Sequence, residues 1–197
     1  MRIVFGTAAA LAVALLALAV LLRPERGDAL TAELDAALTA AQSNRSRADP
    51  AAYLNMLREH LERDPRDARA WVIYARLQAE RERYAEAANA YERGLALSGK
   101  VARDPAVWCE YADALGMARG GRLEGKPREL IDRALALDPK HPKALEMAGS
   151  SEYELGRYER TLDFWRPLQA MLVPGSRRHV ELAAAIERTE RLAAARR

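Results

Sequence analysis

Residues 61–97 read LERDPRDARAWVIYARLQAERERYAEAANAYERGLAL, and their punctuation decides the fold. Asp64-Pro65 marks a helix boundary, because proline supplies no backbone N–H and is tolerated only in a first helical turn. After it, Trp71, Tyr74 and Ala75 stand three and four residues apart, one face of a helix. Ala87, Tyr91 and Gly94 repeat that spacing on a second helix. The stretch is a pair of helices packed through a small residue, Ala75, with Trp71 and Tyr91 filling the space on either side.

The pair recurs outward along the chain. Trp71, Trp108 and Leu145 stand 37 residues apart in each interval. Tyr111 and Ala112 follow Trp108, and Leu145 is followed by Ala148 and Gly149 at the same offsets. Thr161 and Trp165 take the places of Ala87 and Tyr91 in the third unit, and Ala134 lies on the second helix of the middle one. This periodicity is the tetratricopeptide (TPR) pattern, whose helix pairs cannot bury their apolar faces singly and therefore stack. The predicted repeats run over about 65–99, 104–139 and 140–174. A helix from Ala51 to Arg63 precedes them, and a capping helix over about 176–195 closes the stack through Leu182 and Ile186.

Composition agrees with an all-α domain. From residue 50 onward Val, Ile and Thr together number ten, while Ala, Leu, Glu and Arg dominate. Two interruptions stand out. Residues 120–127, GGRLEGKP, cannot continue a helix and form a longer turn, with Gly-Gly serving as a helix stop. Pro167 falls inside the last helix of the third unit, where it removes one backbone hydrogen bond and is expected to kink it.

The first 22 residues are of a different kind. From Ile3 to Leu22 no residue is charged, and a helix of that length rises about 30 Å, the thickness of a bilayer's hydrocarbon core. Two readings stand: an uncleaved transmembrane anchor, or a secretory signal. The unbroken run, longer than the roughly 7–15 residues of a signal's apolar region, favours the anchor. Charges flanking the run keep the N-terminus cytoplasmic and export the rest. Residues 23–49 read as a linker, and residues 50–197 as the TPR domain.

The formal charge is +3, and removing Arg2 leaves +2 spread over a surface of both signs, with no basic stripe for nucleic acid. Cys109 is the sole cysteine, so no intrachain disulfide can form. His60, His141 and His179 stand at distant element ends, without the close spacing that holds a metal. There is no Gly-x-Ser-x-Gly, Cys-x-x-Cys or phosphate-cradling loop. The sequence therefore calls for no catalytic residue, cofactor or metal, and points to a binding protein.

The expected binding surface is the groove lined by the first helix of each pair. Register from Trp71, Trp108 and Leu145 assigns to it Arg69, Val72, Arg76 and Ala79, then Cys109, Asp113, Gly116 and Met117, then Lys143, Glu146, Ser150 and Tyr153. Such a mixture of apolar and charged side chains suits an amphipathic helical ligand. Arg76 and Asp113 are equally able to pair with neighbouring charges. Cys109 reads as a small packed hydrophobe, though its place beside Trp108 leaves its accessibility open.

The combination of one apolar N-terminal segment, the stretch quoted above, YADALGMARGGRLEGKPRELIDRALALDPKHPKALEMAG and YERTLDFWRPLQAMLVPGS resembles a known family over about residues 50–176. It is the periplasmic tetratricopeptide subunit of bacterial cytochrome c maturation, the CcmI/CycH and NrfG type. The resemblance implies a chaperone of the haem-lyase complex at the bacterial inner membrane, with its C-terminal domain in the periplasm. It implies as partners the C-terminal segment of apocytochrome c and the haem-lyase membrane subunits. Thr161 and Pro167 depart from the pattern, and the absence of a two-span membrane domain makes the chain look like the shorter members.

Overall fold

The computed structural model describes residues 50–196, all of whose regular elements are helical. The apolar segment 1–22 and the linker 23–49 lie outside the described residues. Among the described helices none is long and apolar enough to cross a membrane. A first helix, α1 (Pro50–Arg63), precedes three antiparallel pairs, α2 (Ala68–Glu80) with α3 (Tyr84–Leu97), α4 (Pro105–Met117) with α5 (Lys126–Leu137), and α6 (Pro142–Glu154) with α7 (Tyr158–Ala170). The last helix is α8 (Arg177–Ala194), and a single 3₁₀ turn (Val101–Arg103) joins α3 to α4. The arrangement is a TPR-like solenoid.

Local chemistry fixes where each pair begins. Trp71, Trp108 and Leu145 are each the fourth residue of α2, α4 and α6. Those helices and α8 carry side-chain caps. Asp67 accepts from the N–H groups of Arg69 and Ala70 at 3.0 and 2.9 Å, Asp104 from Ala106 at 2.9 Å, His141 Nδ1 from Ala144 at 3.3 Å, and Ser176 from His179 at 3.2 Å. Each bond satisfies one of the N–H groups a helix start leaves without a partner.

The ends of α2, α4 and α6 share one device. The N–H groups of Arg83, Gly121 and Arg157 donate to the carbonyls of Gln78, Gly116 and Glu152, each at 2.9 Å. The residue just before each donor has positive φ: Glu82 at 59°, Gly120 at 75° and Gly156 at 67°. This is the Schellman stop, which normally selects glycine. The inserted stretch of the second pair is added after that stop, and Arg119 donates to the Glu124 carbonyl at 3.1 Å to hold it. α7 runs three residues past Pro167, which lies in its last turn and is exposed.

A continuous core joins α2 to α6. It contains Ala75, Ala87, Tyr91, Tyr111, Ala112, Ala134 and Ala148, with Trp71, Tyr74 and Trp108 packed against it, half-buried. The two indoles are held alike: Trp71 Nε1 donates to the Pro65 carbonyl at 3.0 Å and Trp108 Nε1 to that of Ala102 at 2.8 Å. Leu145 is buried in α6. In the third pair Trp165 lies directly over Gly149, with its ring nitrogen aimed at the Glu146 carbonyl, 3.4 Å away. Smaller clusters flank this core, Leu57 and Leu61 of α1 on Ala70 at one end and Leu162, Trp165 and Ile186 at the other.

Candidate functional site

A cleft of about 480 Å³ opens between α2 and α4, with Tyr84 and Tyr91 of α3 behind it. Arg76, Ala79, Asp113 and Met117, all expected from the repeat register, line it. Glu80, Tyr84 and Glu110 line it too and were not read from the sequence. Only the fold shows Glu110 turned toward Arg76. The signal available for it was its separation of 34 residues from Arg76, one basic repeat length.

Two ion pairs join the successive first helices, and a third joins the last of them to α8. Arg76 holds Glu110 with both ends of its fork, Nε to Oε2 at 2.9 Å and Nη2 to Oε1 at 3.0 Å. Lys143 reaches Asp113 at 3.6 Å, and Arg178 reaches Glu146 at 2.6 Å. The rungs run from α2 to α4, from α4 to α6 and from α6 to α8. Their side chains are between a third and about half exposed, so each contributes at most about 1 kcal/mol. Beside the first rung, burial pushes the Tyr91 hydroxyl well above its usual range, and the Glu110 carboxylate pushes it further.

Other expected groove residues lie elsewhere. Val72, Cys109 and Gly116 are buried in the helix-pair core and do not face a ligand. A side chain at Gly116 would meet Leu123 and the Arg122 carbonyl, because the inserted stretch folds Leu123 back over that glycine. Arg69 is exposed at the start of α2. The Ser150 hydroxyl donates to the Glu146 carbonyl at 2.9 Å, and Tyr153 stacks on Trp165 with ring centroids 5.7 Å apart. Both are thereby directed within the third pair rather than to the cleft.

Cys109 and His141 come together across 32 residues, Sγ to Nδ1 at 3.6 Å. Burial raises the thiol to about 12, so at neutral pH it is S–H, and the ring nitrogen facing it already accepts from Ala144. A protonated, 1% exposed thiol is neither a nucleophile nor an exposed redox group. His60 is likewise not isolated. It stands with Asp64 and Asp67 within 4.8 Å, a proximity the linear spacing had not disclosed. The carboxylates there are engaged: Asp67 takes His60 Nε2 at 2.9 Å as well as two N–H groups, and Asp64 takes the Arg66 N–H at 3.1 Å. That arrangement does the work of a helix start.

A buried carboxylate escaped sequence reasoning altogether. Glu152 is 1% exposed, with Arg128 Nη1 2.5 Å from Oε1 and the guanidiniums of Arg160 and Arg157 each at 3.5 Å. Arg128 in turn lies over the Phe164 ring and bonds Asp132 at 2.9 Å. The group ties α6 to α5 and α7, and none of its residues lines the α2–α4 cleft.

Stacked helix pairs with a cleft between first helices define a TPR-type helical-repeat protein. Solved structures agree on the fold: MamA at TM-score 0.63 and 13% identity over 77% of this chain and 79% of that one, and Pseudomonas aeruginosa PilF at 0.62 and 18% over 87% and 82%. The family described as the cytochrome c-type biogenesis protein H TPR domain matches residues 25–179, and the chain belongs to that family. Its relatives include the cytochrome c-type biogenesis protein CycH of Pseudomonas aeruginosa, 33% identical over 59% of this chain and 28% of that protein. Another is the formate-dependent nitrite reductase complex subunit NrfG of Escherichia coli O157:H7, 23% identical over 66% and 64%. The chain thus matches little more than a quarter of the length of the CycH relative.

Proposed function

We propose that this protein is a non-catalytic chaperone of cytochrome c maturation, which holds the C-terminal segment of apocytochrome c in the groove of its first helices while haem is attached. Family membership supports the setting, and the α2–α4 cleft is the observation that carries the binding mode. It is open between two first helices and lined by apolar side chains, Ala79, Ala114 and Met117, together with charged ones, Arg76, Glu110 and Asp113, as an amphipathic helix requires. In this reading residues 1–22 anchor the protein in the bacterial inner membrane, residues 23–49 space the domain from it, and the domain works in the periplasm beside the haem-lyase membrane subunits. A general envelope scaffold is the second reading, favoured by the satisfied charges of the inter-helix rungs, which leave those helices stitched together with or without a client.

The test is titration of the full chain in detergent or nanodiscs with two peptides of an apocytochrome c, its C-terminal helix and its Cys-x-x-Cys-His segment. Micromolar or tighter affinity for the first, about −8 kcal/mol, weakened when Ala79→Trp fills the cleft, is the expected result. Absence of binding to both peptides would transfer the case to the scaffold.

A further inference from the structure

We propose that the cleft between α2 and α4 is an anchor pocket for one bulky uncharged side chain, aliphatic or aromatic, of the bound polypeptide. This rests on the polypeptide-binding reading above and adds the chemistry of what is read. The charged groups of the cleft are already committed to partners. Arg76 and Glu110 share two hydrogen bonds of 2.9 and 3.0 Å, Lys143 of the next pair reaches Asp113 at 3.6 Å, and Glu80 is engaged as well. A cation or carboxylate on the ligand would have to displace one of these partners, exchanging one ion pair for another without net gain. The pairing therefore selects against a charged anchor.

What remains to be covered is carbon. Ala79, Ala114 and Met117 line the cleft together with Tyr84 and Tyr91. Two alanines leave room where larger residues would close it. The volume of about 480 Å³ falls within the roughly 300–1,000 Å³ of pockets that seat small ligands. It holds one large side chain while the ligand's helix stays outside. Met117 lines the cleft and is 45% exposed, so an anchor lying on it removes apolar surface of both from water. Its unbranched thioether adapts to the shape it meets, so leucine, methionine and phenylalanine anchors are all accommodated. Alanine at the anchor position covers too little, and lysine or glutamate brings a charge whose partners are already taken.

The experiment titrates the full chain in nanodiscs, with empty nanodiscs as the blank, using amphipathic helical host peptides unrelated to cytochromes. The hosts differ at one residue: leucine, phenylalanine, alanine, lysine or glutamate. An apocytochrome C-terminal peptide is titrated beside them, native and with each apolar residue of its helix replaced in turn by alanine. Leucine and phenylalanine hosts are expected to bind roughly tenfold tighter than the alanine host. The preference should hold at about 1 M salt as at about 0.1 M, with lysine and glutamate hosts no tighter than alanine. Met117→Gln should remove most of the preference at an unchanged melting temperature, which separates lost recognition from lost folding. Lys143→Gln leaves Asp113 without the partner it has at 3.6 Å, and there the lysine host should gain affinity. Equal binding of all hosts, failure of every host to bind, a charged host ahead of leucine, a preference undiminished by Met117→Gln, or a lysine host indifferent to Lys143→Gln would overturn the pocket. Host discrimination without cytochrome binding retains the pocket and removes the haem client; cytochrome binding insensitive to loss of any one apolar residue does the reverse.

Discussion

Gly149 is the residue over which Trp165 packs in the third helix pair. A side-chain carbon there would run into Nε1 and Cδ1 of Trp165, so the indole rather than a second small residue fills the space. Gly149→Ala should destabilise the protein by about 1–3 kcal/mol, the usual cost of overpacking a core. In a Trp165→Leu background the same substitution should cost much less. Urea denaturation of the four-member cycle measures this, and equal costs in both backgrounds would refute the contact. Gly149 was legible because it fell on the small-residue slot of a 37-residue period. Glu152 was not, although it stands seven residues after Leu145, in the slot where the repeat pattern has tyrosine. Gln78 and Leu115 occupy the same slot in the other units. A carboxylate read locally looks solvated; what buries this one is Arg128, 24 residues away on another helix. The cleft divides in the same manner. Arg76, Ala79, Asp113 and Met117 followed from helical register, whereas Val72 and Cys109 were assigned one face too far round. Register gives an angle around a helix axis, and whether that angle meets water depends on how closely the next helix packs.

The helix ends carry the next level of information. Glu82 has φ of 59° at the stop of α2, where the equivalent positions in the other pairs are Gly120 and Gly156. A left-handed conformation costs a residue with a Cβ roughly 1–2 kcal/mol, so Glu82→Gly should stabilise the domain by about 0.5–1 kcal/mol after glycine's added chain entropy. A rise in the urea midpoint without a change in slope is the expected signature. At the start of α2, burial by itself would raise the Asp67 carboxyl. The Ala70 N–H, His60 and the Arg69 N–H outweigh it and hold the group below the ordinary 3.8. A carboxyl depressed in the folded state adds stability that is fully present above the unfolded value and is lost as pH falls through the folded one. Asp67→Asn retains a capping side chain but not the charge. The melting temperatures of the two proteins should therefore differ near neutral pH and converge as the pH drops below about 3.8. A constant gap would show that the charge contributes nothing. These ends were partly legible: Gly-Gly was read as a stop, and Gly120 and Gly121 close α4. The Schellman geometry at Glu82 had no glycine to announce it.

Across the whole molecule, the rungs Arg76–Glu110, Asp113–Lys143 and Glu146–Arg178 run along the first helices and on to α8. Because they are partly exposed, salt should weaken them: the screening length falls from about 10 Å at 0.1 M to about 3 Å at 1 M. A double-mutant cycle on Arg76→Gln and Glu110→Gln is expected to give a coupling below about 1 kcal/mol at 0.1 M and close to zero at 1 M. A coupling insensitive to salt would mean the pair is more deeply screened from water than its geometry shows. The solenoid class was legible from periodicity, since stacking follows from apolar faces that one pair cannot hide. The rungs were not, because they join residues 30–34 positions apart and depend on the rotation of each pair against the next. That rotation has a consequence for how the chain can change. Excising one 37-residue period would keep every helix pair intact yet bring Met147 to the place of Glu110, opposite Arg76. The units are keyed to one another in a fixed order, like wards in a lock, and the protein cannot be lengthened or shortened by shuffling them without recutting the charges at each new junction.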